Sequence, residues 1–188
     1  MRLFVAVRLP AVVRAAIVRA RAPLEERVTD VRWTDVEALH LTLSFIGEVA
    51  EGRLAELGEA VRATAAGHAP FTLRLGSLGA FPSLRRARTW WIGVSDGGNL
   101  ARIQGELEQR LGVLGVPRED RPFSPHVTIG RRRGRNGAPR APGTDGLPSI
   151  TLGVSVPVAS IDLMRSYTGG TGSRYECVVA APLNGGHG

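Results

Sequence analysis

The sequence predicts an α+β fold built on antiparallel sheets. Three observations carry this: strand-like runs outnumber helical ones, several strands follow one another as hairpins do, and only three segments show sustained helical periodicity. At 188 residues, 20.0 kDa and 43% hydrophobic residues, the chain suits one domain, or two small lobes sharing a core.

The elements follow in order. Residues 2–8 form an apolar strand. Pro10 opens a helix with Val12, Val13, Ala16, Ile17 and Ala20 on its apolar face, and Pro23 is expected to end it. A short extended piece at Val31–Trp33 leads to a strand from Leu39 to Ile46, closed by Gly47. A helix over 51–66 repeats Leu54, Leu57, Val61 and Ala65. Strands at 71–75 and 89–94 flank a basic connection with Arg85, Arg86 and Arg88. The third helix, 98–114, carries Leu100, Ile103, Leu107, Leu111 and Leu114. A strand at 123–130 precedes an Arg, Gly and Pro-rich stretch, 131–148, expected to be a mobile loop. Strands are expected at 150–156, 158–167 and 175–180, before a Gly-rich tail.

Composition narrows the partners. The formal net charge is +7, the sequence pI is about 11.2, and all 24 basic residues are Arg. A surface of planar, permanently charged guanidiniums favours phosphate partners, because each can donate two parallel hydrogen bonds to one anion. No apolar run approaches the roughly 20 residues of a spanning helix, and the N-terminus reads as a buried strand and not a signal peptide, so no membrane partner is expected; the use of a single cysteine makes a reducing cytoplasm the expected compartment. Cys177 is the single cysteine. It excludes an internal disulfide framework and a Cys-based zinc site, and its strand-like surroundings make it a core residue.

Two of the four histidines sit in matching surroundings. His40-Leu41-Thr42-Leu43 and His126-Val127-Thr128-Ile129 share the pattern His, aliphatic, Thr, aliphatic. Each lies in a strand reached from an upstream strand and helix, as an internal duplication about a pseudo-two-fold axis would arrange. Strand side chains at i and i+2 share a face. His40 and Thr42 therefore point one way while Leu41, Leu43 and Phe45 fill the core; His126 and Thr128 likewise oppose Val127 and Ile129. Two imidazoles and two hydroxyls on one surface suit phosphodiester chemistry: imidazole serves as acid or base near neutrality, and a Thr hydroxyl can donate to a non-bridging phosphate oxygen. Which histidine is acid and which is base stays open at this level. His68, in a linker, and His187, in the tail, belong to neither pattern.

Competing chemistries lack their residues. There is no His-x-His or His-Glu-x-x-His spacing for a metal, no Gly-x-Ser-x-Gly elbow, and no Lys for a Lys-adenylate ligase or a Walker loop. No metal and no cofactor are expected.

On these residues the chain resembles the two-histidine phosphoesterase superfamily, and within it the RNA 2′,3′-cyclic phosphodiesterases known as LigT-like 2′-5′ RNA ligases. The likeness rests on the doubled His-x-Thr motif, the opening Arg2–Val7 with Pro10, Trp33, the runs His40–Gly47 and Phe123–Arg131, and Leu163–Ser166 with Gly172 and Tyr175. It implies a single domain spanning 1–188, made of two intertwined lobes, each an antiparallel sheet with outer helices, and an active cleft between them. It implies metal-independent hydrolysis of a 2′,3′-cyclic phosphate on an RNA or oligonucleotide end to a 2′-phosphate, by a monomer. His126 becomes the proton acceptor that activates water and His40 the proton donor to the departing 3′ oxygen. Thr42 and Thr128 hold the phosphate.

Arg131 matches an Arg of the family motif and adds a charged donor. Strict parity places it with Val127 and Ile129 on the wrong face, so Gly130 or the strand end must break the alternation. Arg132, Arg133 and Arg135 would form a basic rim gripping RNA phosphates, and Trp33, Trp90 and Trp91 include a candidate base-stacking platform. Two other readings use the same surface: a 2′-5′ RNA ligase joining a 2′,3′-cyclic phosphate to a 5′ hydroxyl, and a non-catalytic RNA-binding module.

Overall fold

A computed structural model describes residues 1–133, 147–169 and 172–185. It is a mixed helix and strand fold with a curled antiparallel sheet, a half-barrel. The strands are β1 (Arg2–Arg8), β2 (Val31–Trp33), β3 (His40–Glu48), β4 (Phe71–Phe81), β5 (Thr89–Ser95), β6 (His126–Arg132), β7 (Ser155–Val158), β8 (Ser160–Gly169) and β9 (Gly172–Pro182). The helices are α1 (Ala11–Arg27), α2 (Leu54–Ala66) and α3 (Asn99–Val113). Among the described residues the strands form one sheet in the order β7-β4-β5-β6-β3-β1-β8-β9, with β2 pairing β6.

The middle of this sheet positions the site. β3 meets β6 at Leu41 opposite Val127, Val7 lies beside Leu41, and Ile92 beside Val127. These four side chains form a buried row on the face that also packs Val13, Ile17 and Leu24 of α1, Leu57 and Val61 of α2, and Leu100, Ile103 and Leu107 of α3. With the apolar members of β3 and β6 claimed by the helices, the alternate residues must turn to the opposite face.

Several expectations are corrected. Pro23 does not end α1, which runs to Arg27. The buried stripe Val13, Ile17, Arg21, Leu24, Val28 continues past it at helical spacing, and Pro23 lies on the exposed side, where the carbonyl it cannot bond, that of Arg19, can be solvated. Val12 is exposed and not part of the apolar face. β6 begins at His126, since Pro125 has no N–H to donate to a ladder, and it includes Arg131 and Arg132, which pair with Arg32 and Val31 of β2 instead of opening a loop. The strand expected at 150–156 is regular only from Ser155. Upstream, the chain follows an extra residue in β4 between Leu75 and Leu78 through irregular bonds and passes Gly153 at φ +62°. No helix among the described residues is long and apolar enough to cross a membrane.

Candidate active site

His40 and His126 both stand on the sheet face opposite the helices. Because β3 and β6 are antiparallel and meet at Leu41 and Val127, His40 lies toward Thr128 and Thr42 toward His126. Each imidazole is tethered in the same way: Nδ1 of His40 donates to the carbonyl of Ala38 at 2.7 Å, and Nδ1 of His126 to that of Ser124, also at 2.7 Å. A backbone acceptor two residues upstream fixes the tautomer and leaves Nε2 as the nitrogen able to take up a proton. His40 Nε2 accepts from the Thr42 hydroxyl at 3.0 Å.

Aromatic rings wall both imidazoles. His40 contacts Phe4 (ring centroids 4.9 Å apart) and Tyr175 (5.0 Å). His126 contacts Phe81 (5.1 Å) and Trp91 (6.0 Å). Burial against these walls holds both histidines below the ordinary imidazole pKa, and the backbone hydrogen bonds only partly oppose it. The Arg131 guanidinium depresses both further, and His126 adds to the effect on His40. The two imidazoles and Arg131 therefore form one electrostatic unit.

The break in alternation expected near Gly130 is a β-bulge. Trp91 of β5 pairs with Thr128, but the next residue, Trp90, pairs with Gly130, so β6 carries one extra residue. Arg131 is thereby turned to the face of Thr128, where its Nη1 donates to Thr89 Oγ1 at 3.2 Å. Gly130 is required there: a Cβ would stand 2.6 Å from the Trp33 ring and 2.7 Å from Val31 Cγ1. The Ile129 carbonyl at the bulge accepts from the Thr34 N–H at 2.9 Å and from Arg21 at 3.4 Å.

β3 bulges at the same offset. Ala6 pairs with Thr42 and Val5 with Ser44, leaving Leu43 extra. Phe45 is consequently 53% exposed and packs on Phe4, not in the core as strict alternation predicts. Phe45 and Arg131, each five residues after a motif histidine, are both turned out by the extra residue.

Other predicted residues fall elsewhere. Arg132 is largely buried, with its Nε on Asp30. Arg133 is exposed, its backbone N–H bonded to the Asp30 carbonyl at 2.8 Å. Arg135 lies outside the described residues. Trp90 is core; Trp33 packs against Gly130 and beneath Arg21; Trp91 alone reaches the histidines. Sequence reasoning missed Phe4, Phe81 and Arg8 as residues of this face. The alternation Phe4, Ala6, Arg8 in β1 was the available signal, masked by the wholly apolar run around it. Among the described residues no group of three or more His, Cys, Asp or Glu side chains is placed to hold a metal ion.

Comparison with known proteins converges on one family. Residues 9–169 match the model of the 2′-5′ RNA ligase superfamily. A Geobacillus stearothermophilus protein named RNA 2′,3′-cyclic phosphodiesterase is 35% identical over 97% of this chain, which spans 57% of that protein's length. A Thermus thermophilus protein of the same name is 36% identical over 100% of this chain and 93% of its own. The crystal structure of TT0787 from Thermus thermophilus aligns over the whole of both chains with a TM-score of 0.86 at 33% identity. That of Escherichia coli LigT complexed with 3′-AMP aligns over 97% of each chain, with a TM-score of 0.78 at 27% identity.

Proposed function

Since the chain belongs to the 2′-5′ RNA ligase superfamily, we propose that it is an RNA 2′,3′-cyclic phosphodiesterase in which His40 and His126 exchange protons with a phosphate seated between them. The observation that carries the reading is the pair of identically tethered imidazoles on one face, each with Nε2 as its reactive nitrogen.

In this reading His126 Nε2 takes a proton from water as the water oxygen bonds to phosphorus. Protonated His40 gives its Nε2 proton to the 3′ oxygen as the P–O3′ bond breaks, leaving a 2′-phosphate and a 3′ hydroxyl. Thr42, Thr128 and Arg131 donate to the non-bridging oxygens, whose charge grows in the pentavalent transition state. Both imidazoles are biased toward neutrality in the free protein, which suits the base. The bound anion restores the proton on the acid, since a negative charge nearby favours the imidazolium.

The mirrored strand order about β3 and β6 and the matched bulges support a duplicated, two-lobed single domain with the reaction in the cleft between the lobes. We read the enzyme as a cytoplasmic monomer that needs neither metal nor cofactor. Arg133 and Arg135 remain candidates for an RNA-gripping rim. Arg132 is a weaker one, because Asp30 already engages it.

The test is incubation with a short RNA ending in a 2′,3′-cyclic phosphate, with no metal or nucleotide added. A 2′-phosphate end is expected. A 2′-5′ linked product in its place identifies a ligase, and salt-sensitive binding without conversion identifies a binding module; either overturns the proposal.

A further inference from the structure

Arg8 closes β1 directly opposite His40, with Val7 opposite Leu41 and Ala6 opposite Thr42. Directly opposed residues of an antiparallel pair share a face, with Cβ atoms about 4.5–5.5 Å apart. Arg8 therefore leaves the ladder at the position beside His40 and on the same face. Its Nε donates to Oδ2 of Asp162, which lies opposite Ala6 on β8. The Asp162 side chain is 0% exposed and that of Arg8 54%.

This is an unusual expenditure on a strand end. A buried carboxylate is retained only against a large desolvation penalty, and the other Asp162 oxygen, Oδ1, is buried with no hydrogen-bond partner among the described residues. What the pair achieves is orientation. Asp162 grips the guanidinium through Nε, and the four terminal N–H donors of Arg8 have no partner among the described residues. A guanidinium fixed at one edge and open at the other suits bidentate capture of a phosphate.

The surroundings say which phosphate. Across from His126 the ladder holds Gly93, which has no side chain to offer, and the residue matching Arg131 on the His40 strand is Phe45. The bulge puts Arg131 on the face of Thr128 and the two histidines, where in the hydrolytic reading it serves the reacting phosphate. Arg8 belongs to the His40 flank alone. In the hydrolytic reading, on which this inference rests, His40 protonates the 3′ oxygen, so the terminal ribose lies on that flank. The next phosphate of an RNA chain hangs from the 5′ oxygen of the same ribose.

We propose that Arg8, oriented by the buried Asp162 carboxylate, binds the phosphate on the 5′ side of the terminal nucleotide and so selects chain ends over isolated cyclic nucleosides.

The experiment compares adenosine 2′,3′-cyclic phosphate carrying a 5′-phosphate with the same compound carrying a 5′ hydroxyl. In the unaltered protein the 5′-phosphate is expected to lower KM about tenfold, the low end for charge-assisted hydrogen bonds at a half-exposed group. Because Arg8→Ala alone strands a buried carboxylate, the double variant Arg8→Ala/Asp162→Asn is used, with Arg8→Lys as the milder companion, and circular dichroism confirms that both fold. The double variant is expected to reduce the tenfold preference to less than about twofold, with Arg8→Lys between. Asp162→Asn, a positioning change, should weaken the preference while affecting kcat far less than KM. Equal KM values for the two compounds in the unaltered protein, or an undiminished preference in the double variant, overturn the role of Arg8. Turnover of neither compound overturns the hydrolytic reading, and calorimetric titration with the same two compounds then decides Arg8 separately: equal affinities refute it, and a preference lost in the double variant supports it.

Discussion

Gly130→Ala tests the bulge on which the site depends. The added Cβ would sit 2.6 Å from Trp33 Cε3, 2.7 Å from Val31 Cγ1 and 3.0 Å from Trp33 Cζ3, whereas ordinary contact begins at 3.4 Å. β2 or β6 must therefore yield by about 0.8 Å, and both neighbours are held: Val31 is in the core, and Trp33 is pinned beneath Arg21. Overpacking of this kind costs about 1–3 kcal/mol. At about 2–4 °C per kcal/mol for a chain of this size, the melting temperature should fall by about 2–12 °C. The larger consequence is catalytic. Thr128 and Arg131 lie on either side of Gly130, and a shift near 1 Å in positioned groups can cost about 10²-fold in rate. Thermal melts and kcat/KM on a nucleoside 2′,3′-cyclic phosphate measure both effects. Gly105→Ala serves as the control, since Gly105 lies within α3 with nothing within 4 Å of an added Cβ; it should melt at or above the parent temperature and keep full activity. A Gly130→Ala protein matching the parent in both melting temperature and kcat/KM would refute the claim that the bulge aims Arg131.

Four further outcomes are expected. His40→Ala and His126→Ala should each lower kcat by about 10²–10⁴-fold while leaving the circular dichroism spectrum intact; full activity in either removes that histidine from the mechanism. The folded pKa values of both histidines lie below the unfolded value near 6.5. Their contribution to stability is thus complete above about pH 6.5 and lost as pH falls through the folded values, because the unfolded chain then binds more protons. Melting temperatures from about pH 7.5 to 5 should fall more steeply in the parent than in a His40→Gln/His126→Gln double variant, and parallel curves contradict the assignment. Arg131→Ala should lower kcat/KM and also move the bell-shaped pH profile expected of an acid–base pair to higher pH, since both imidazoles lose a depressing charge; a drop in rate with an unmoved profile leaves Arg131 a role in binding alone. Activity should be indifferent to EDTA, and a loss restored by added divalent cation defeats the metal-free mechanism.

The sequence by itself determined the class of fold, the existence of most elements and the two histidine motifs. It did so because alternation in β3 and β6 is a local property: Leu41, Leu43, Val127 and Ile129 are apolar and the residues between them are not, so the parity of His40, Thr42, His126 and Thr128 follows wherever the strands end up. It also located the difficulty at Arg131, since parity and chemistry disagree there. Tertiary structure decided everything that depends on register. Only the ladder of β5 on β6 shows that an extra residue, Ile129, turns Arg131 to the histidines, and only the ladder of β1 on β3 shows that Leu43 does the same to Phe45, against the expectation of a core residue. A bulge arises from the mismatch of two strands distant in sequence, so neither strand alone announces it. The same holds for α1, where burial of Leu24 and Val28 outweighs the local signal of Pro23, and for Arg8 and Asp162, 154 positions apart and joined only when β8 is laid against β1. Patterns within one strand follow from steric alternation along the chain; which arginine faces the histidines follows from which strands are neighbours.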